Sequence, residues 1–321
     1  MSVISPASAV IDVGVLGSIN EDIIEQADGR IDHGLGGVLF TACALGYLGV
    51  GSVRVWLLAK AHDGLVPRLR ERLAPVPGLR LDGLIGIPQP GYRCHIVYGA
   101  NGEKSEVLHG GVEPLTAVEL APFLPRLQAL VVNFITGFEI TSSDLATVRR
   151  SVNGPVFMDL HSLTLGREAD GTRFPDPAVD VTQWLAAADV VQMNEAEARI
   201  LGAPVEIDGS GNSCASSLLT WAERLLDHGP RAIVITRGAA GSVAAWRSTE
   251  GVIFHERQPA HRVDRVEILD TTGCGDVFLA AMAAAQVQGL GLSIAMERAS
   301  RAAACNCQIS GIDELHRLPL K

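Results

Sequence analysis

Short apolar runs ending in polar or glycine residues recur along the chain: "ALVVNFITG" from Ala129, "PVFMDLHS" from Pro155, "ADVVQMN" from Ala188 and "AIVITRG" from Ala232. Runs this short and this continuous suit strands buried on both faces, the condition of a parallel sheet covered by helices. The stretches between them are amphipathic. Before "AIVITRG", Ser213 opens a helix whose Leu218, Trp221, Ala222 and Leu225 share one face, and Gly229-Pro230 stops it. The expected fold class is α/β, a doubly wound, mainly parallel sheet, whose ligands gather at the carboxyl ends of the strands.

Two segments break this rhythm. "DIIEQADGRIDHG" from Asp22 and "GYRCHIVYGANGEKSEVLHGG" from Gly91 read as hairpins turning at Asp28-Gly29 and Asn101-Gly102. They are either plain surface hairpins or, together, a small β lid formed by segments near 20–35 and 88–112; long excursions from a compact domain favour the lid. At 321 residues, a single α/β domain spanning 1–321 with this appendage is expected. The opening "MSVISPASAVIDVGVLGSIN" lacks a basic n-region, and Asp12 interrupts its apolar run. It reads as a buried first strand rather than a secretory signal or membrane span.

The formal net charge of −10 argues against nucleic acid or an anionic membrane as partner, while leaving room for a local small-anion site. The six cysteines are scattered with no C-x-x-C pair, which suits a reducing compartment and hence a cytoplasmic location. Neither the Walker phosphate loop nor the dinucleotide fingerprint G-x-G-x-x-G is present. A phosphate site must be built otherwise.

"DTTGCGDVFLAAMAAA" from Asp270 offers one. Gly273, Cys274 and Gly275 supply adjacent N–H donors at a helix start, where the dipole favours an anion. Asp276 in the first turn faces the same point, so a hydroxyl docked there loses its proton to Asp276 while the donors stabilise a transferring phosphoryl group. The alternative is that Thr271 or Thr272 caps a core helix and Asp276 merely complements its dipole. Cys274 is either a thiol activated by the helix N-terminus or a packed side chain lending only its N–H.

This stretch resembles the signature D-T-x-G-A-G-D of the ribokinase-like (PfkB) family of sugar and nucleoside kinases, with Cys274 in place of alanine. Further resemblances follow in the family's order. "LGSINEDII" is similar to its first strand and N-x-D element, which makes Asn20 and Asp22 acceptor-binding residues, Asp22 holding acceptor hydroxyls. "LGGVLFTACALGYLG" from Leu35 is similar to its glycine-pair motif, adding Gly36, Gly37 and Phe40. "MNEAEARIL" from Met193 matches the N-x-x-E element at Asn194 and Glu197, which in relatives organises magnesium and phosphates. "VITRGAAG" from Val234 resembles the T-x-G-x-x-G turn that lines the nucleotide site, through Thr236, Arg237, Gly238 and Gly241.

The resemblance implies an ATP-dependent kinase acting on an alcohol group of a small sugar-like or nucleoside-like molecule. It further implies Mg²⁺ handled indirectly through Glu197, a monovalent cation such as K⁺ near Asp270, and a homodimer joined through the lids. Taken by themselves, Asn194 and Glu197 also read as a helix cap, "TRGAAG" as a tight hairpin, and Asp22 as an edge charge. Two departures bear on the substrate. Phe40 stands where the family carries a sugar-contacting asparagine, and offers an apolar face instead. "MDLHSLTLG" gives Asp159 and His161 where relatives carry D-x-N, His161 being either a phosphate-side contact or a core or surface histidine. A noncatalytic binding or regulatory protein on the same fold is the rival reading, opposed by the retention of Asp276. A dinucleotide-dependent oxidoreductase is a third, lacking its fingerprint.

Overall fold

The computed structural model describes residues 10–99, 104–206, 214–264 and 267–319. Ten strands form the central sheet. From one edge, the order runs Ile253–Gln258, Ser242–Arg247, Ala232–Thr236, Val190–Asn194, Val156–Asp159, Ala129–Asn133, Ile11–Gly17, Val53–His62 and Leu79–Arg80, with Leu84–Ile87 also on Val53–His62. Every pairing is parallel except those of Ser242–Arg247 with its two neighbours.

The period-two alternation of each central strand divides its side chains between two apolar layers. Val13, Val15, Ala129 and Val131 join the layer beneath the helices Val38–Leu48, Cys274–Val287 and Leu292–Asn306. Leu16, Leu130, Val132, Ile233 and Ile235 join the other, beneath Ser142–Ser151 and Ala215–Leu225. The helices Val38–Leu48 and Cys274–Val287 are buried along almost their whole length. That explains why they are apolar all round instead of striped.

The helix expected from Ser213 spans Ala215–Leu225; Ser213 itself lies outside the described residues. Leu218, Leu219 and Ala222 are its buried face, and a 3₁₀ turn at Leu226–His228 carries it to Gly229 at φ 128°. The first strand is Ile11–Gly17, with residues 1–9 outside the description.

The two hairpin segments pair with one another. Ile31–Gly37, Ile19–Glu25, Tyr92–Tyr98 and Lys104–His109 form one four-stranded sheet in that order. Its inner pair, Ile19–Glu25 with Tyr92–Tyr98, is parallel and its outer pairs are antiparallel. Asp28-Gly29 does form the first turn, Gly29 having φ 85°; Asn101-Gly102 lies outside the described residues. Only Ser18 separates the central strand Ile11–Gly17 from this small sheet. Ile24, Tyr92, Cys94, Ile96 and Leu108 form a third apolar cluster on one of its faces. The opposite face pairs Arg93 with Glu21 and His95 with Glu25.

Candidate active site

At the carboxyl ends of the central strands a cleft of about 340 Å³ opens between the main sheet and the small one. It is bordered by Asn20, Asp22, Gly37 and Phe40 on one side and by Gly273, Cys274, Gly275 and Asp276 on its floor. Asn194, Glu197, Thr236 and Gly238 complete the far wall. Residues from widely separated stretches of the sequence therefore share one cavity.

The floor is the start of the helix Cys274–Val287. Gly273 precedes it in the left-handed region, φ 77°. A Cβ there would lie 2.4 Å from the Phe40 ring, so the loop needs glycine for both its turn and its contact. Asp276 falls in the first helical turn and is buried. Its Oδ1 accepts from Asn133 Nδ2 at 2.5 Å, and the same nitrogen donates to Thr41 Oγ1 at 2.8 Å. Asn133 ends a central strand and is completely buried, and its Oδ1 has no partner. The amide thus fixes the orientation of the carboxylate, a role the sequence hinted at only by placing a polar residue at the end of "ALVVN".

Asp22 lies on the inner face of the small sheet, above Gly36. The Asp22 Oδ2 is 2.0 Å from the place a Cβ on Gly36 would occupy, which makes Gly36 the seat of that carboxylate. Asn20 is buried beside it with Oδ1 unpartnered, an acceptor available to a ligand hydroxyl. Phe40, Cys94, Ile96 and Tyr98 give this end of the cleft apolar surface.

Asn194 caps the helix Glu195–Ile200 in a reciprocal capping box. Its Oδ1 accepts from the Glu197 amide at 2.9 Å, while Glu197 Oε2 accepts from the Asn194 amide at 2.8 Å. The capping and site readings of this pair are compatible, since both residues also border the cleft. Arg237 is placed differently: its guanidinium, largely buried, pairs with Glu195 at 3.3 Å and does not border the cleft. Thr236, Gly238 and Gly241 do face cavity, all three bordering a second, apolar one.

Asp159 borders the same cleft, in surroundings the sequence did not disclose. It accepts from Gln192 Nε2 at 2.8 Å, and that nitrogen also donates to the Gly275 carbonyl at 2.9 Å. Burial first, then the carboxylates of Glu197 and Asp276, push the Asp159 pKa well above the usual carboxylate range. His161 borders the same cleft with φ 33°, the one positive φ of a non-glycine residue among those described, and its Nδ1 lies 2.8 Å from Ser162 Oγ. Backbone strain of this kind gathers at ligand sites.

The apolar cavity, of about 400 Å³, adjoins the cleft through Thr236, Gly238, Thr271, Cys274 and Gly275. Val263, Ile268, Phe278, Ala303 and Ala304 supply its apolar lining. Cys274 Sγ points to Cys307 Sγ, 3.1 Å distant, so its side chain is packed, and its amide donates to the Thr271 carbonyl at 3.3 Å. The contact with Cys307, reinforced by burial, raises the Cys274 thiol, and the same contact lowers Cys307 to about 7. Asp270 Oδ1 accepts from the Thr272 amide at 2.8 Å, shaping the approach to the loop. No helix among the described residues is long and apolar enough to cross a membrane.

Residues 168–316 match the pfkB family carbohydrate kinase profile. Among solved structures, the chain is similar to Arabidopsis thaliana ribokinase complexed with ribose and ATP. That match has 18% identity and a TM-score of 0.70, covering 97% of this chain and 100% of the other. It is similar also to a pyrophosphate-dependent kinase of the ribokinase family complexed with a pyrophosphate analog and myo-inositol (16%, TM-score 0.73, 93% and 96% covered). A third is the Burkholderia thailandensis nucleoside kinase in complex with inosine (18%, TM-score 0.70, 95% and 93% covered). The fold is that of ribokinase over nearly the whole length.

Proposed function

We propose that this chain, a kinase of the pfkB family on the ribokinase fold, transfers the terminal phosphoryl group of ATP to an alcohol of a small, ring-bearing sugar-like or nucleoside-like acceptor. The observation that carries the reading is the placing of Asp276. Its buried, amide-held carboxylate stands in one cleft with the glycine cradle and with Asp22. Asp22 and Asn20 orient the acceptor hydroxyl, Asp276 takes its proton, and the amides of Gly273 to Gly275 stabilise charge on the phosphoryl group in transit. The small sheet covers the cleft as a lid and keeps water from competing with the acceptor.

ATP is favoured over pyrophosphate by the apolar cavity beside the cradle. A purine ring buries usefully against Val263, Ile268 and Phe278, whereas pyrophosphate has no group to place there. Thr236, Gly238 and Gly241 then border the nucleotide. Phe40 and Ile96 favour an acceptor with an apolar or aromatic face.

The donor set also fits a magnesium ion bound with the phosphates. Asp159, Glu197 and Asp276 bring three carboxyl groups into one cleft, yet no group of three such residues among those described closes on a point that could hold a metal alone. Magnesium commonly takes one or two carboxylates, with substrate phosphates and water completing its shell. Glu197, and Asp159 beside it, would hold it; when bound it neutralises phosphate charge. A monovalent cation near Asp270 and pairing of two chains through their lids belong to the same proposal. Potassium titration of the rate and sedimentation of the protein test them.

The main test offers magnesium ATP or magnesium pyrophosphate with sugars, nucleosides and other ring-bearing alcohols, and detects the phosphorylated acceptor by mass. ATP should support transfer, and Asp276→Asn should bind ATP yet turn over about 10²-fold more slowly or worse. Tight binding of acceptor and ATP without any product would favour a noncatalytic role. Transfer undiminished in Asp276→Asn would remove that residue as base.

A further inference from the structure

We infer that Cys274 and Cys307 form an oxidisable pair whose disulfide closes the site to its donor. The sulfurs are 3.1 Å apart, and both residues are part-buried and border the apolar cavity, which gives a small oxidant a path to them. They join two different elements: Cys274 opens the helix Cys274–Val287, and Cys307 follows the helix Leu292–Asn306.

The pair is set in a mesh that shapes the cradle. Asn306 Nδ2 donates to the Thr272 carbonyl at 2.9 Å and approaches Cys274 Sγ at 3.4 Å, and the Leu269 amide donates to the Cys307 carbonyl at 2.8 Å. A peroxide is the oxidant the pair would meet. The Cys307 sulfur attacks one peroxide oxygen and the O–O bond breaks, leaving a sulfenic acid and water. The Cys274 sulfur then attacks the sulfenic sulfur, and the hydroxyl leaves with the Cys274 proton as a second water. Two thiols are oxidised and one peroxide is reduced.

Bond formation draws the sulfurs about 1 Å closer and pulls the first residue of the helix toward Cys307. Cys274 lies between Gly273 and Gly275, whose amides the proposed cradle uses, and displacement on this scale is enough to cost about 10²-fold where groups must be aligned. The chemical step stands apart from the proposed function; its effect on the donor rests on that reading.

The test treats the purified full chain with hydrogen peroxide and maps disulfides by peptide mass. It then measures magnesium ATP affinity by calorimetry and turnover before and after dithiothreitol. A Cys274–Cys307 disulfide is expected, with affinity and turnover falling tenfold or more and returning on reduction. Cys307→Ala and Cys274→Ala, each compared with its own untreated rate, should lose the reversible response, while Cys305→Ala should keep it. A map without the 274–307 link, or a linked protein that binds and turns over as before, overturns the inference. Reduced protein that does not bind magnesium ATP counts against the proposed donor and the consequence drawn from it, while the peptide map still decides the modification.

Discussion

Asn133 donates to Asp276 at 2.5 Å across 143 positions of sequence, tying the end of a central strand to the first turn of the helix beneath the cleft. The amide has a second acceptor in Thr41 and is fully buried, so it has little freedom to turn. A carboxylate held this way keeps one oxygen engaged and its carboxyl plane fixed.

Replacing Asn133 with Leu removes the donor from a buried carboxylate. The charged form of Asp276 loses its stabilising hydrogen bond, so the acid limb of the rate profile should move to higher pH. Turnover at neutral pH should fall about tenfold or more while the acceptor KM changes little. A lower rate with an unmoved pH profile would reduce Asn133 to a packing residue.

Asp159 carries the opposite electrostatic consequence. Its folded pKa is raised by burial and by Glu197 and Asp276, so between the unfolded carboxylate value, near 4, and the raised folded value the native state binds the extra proton. Stability from this group is present at low pH and is lost as pH rises through that window. Asp159→Asn should therefore raise the thermal midpoint at neutral pH relative to wild type, with the difference vanishing below about pH 4. Melting curves across pH read this directly; a variant less stable at every pH would contradict it.

Gly36 and Asp22 should behave as one unit. A methyl group on Gly36 occupies the place of the Asp22 carboxylate, so Gly36→Ala and Asp22→Ala should each raise the acceptor KM about tenfold, and the double variant should do little more. Donor affinity should stay within a factor of about two in all three, because neither residue borders the apolar cavity proposed for the donor. Additive losses in the double variant would separate the residues.

Phe40 packs on Gly273 and borders the acceptor end of the cleft. Truncation to Ala should destabilise the fold by about 3 kcal/mol, the lower range for a buried phenylalanine, and should weaken ring-bearing acceptors more than plain polyols. Denaturant unfolding and an acceptor panel measure the two effects. A panel led by pentoses and hexoses, with nucleosides inert, would contradict the role given to Phe40.

The parallel sheet was legible because its strands are continuous apolar runs, and runs buried on both faces leave a plain trace in sequence. The helix start at Gly273 to Gly275 was legible because glycines there have a local cause. What sequence could not reveal were contacts made by ordinary residue types over long separations. Asn133, Gln192 and Cys307 acquire their roles only when Asp276, Asp159 and Cys274 are brought against them. The cysteine spacing gave no pair because the two thiols lie on separate helical elements. Arg237 is the reverse case: its position in the turn motif was plain in the sequence, while the pairing of its side chain with Glu195 on the neighbouring helix was not.

Gly17 and Asn133 are partners in adjacent strands, and Asn20 follows Gly17 by three positions, one of them the joint at Ser18. Through the Asn133 side chain, the proposed base is thus connected to the proposed acceptor clamp by a single rung of the β ladder, with only Ser18 between the two strands. The separation between proton taker and proton giver is gauged by backbone hydrogen bonds, which hold tolerances that loops do not. Exchanging side chains around the acceptor should therefore retune which alcohol is chosen while leaving the gauge untouched. Inserting one residue between Gly17 and Asn20 should ruin the gauge while leaving every side chain in place.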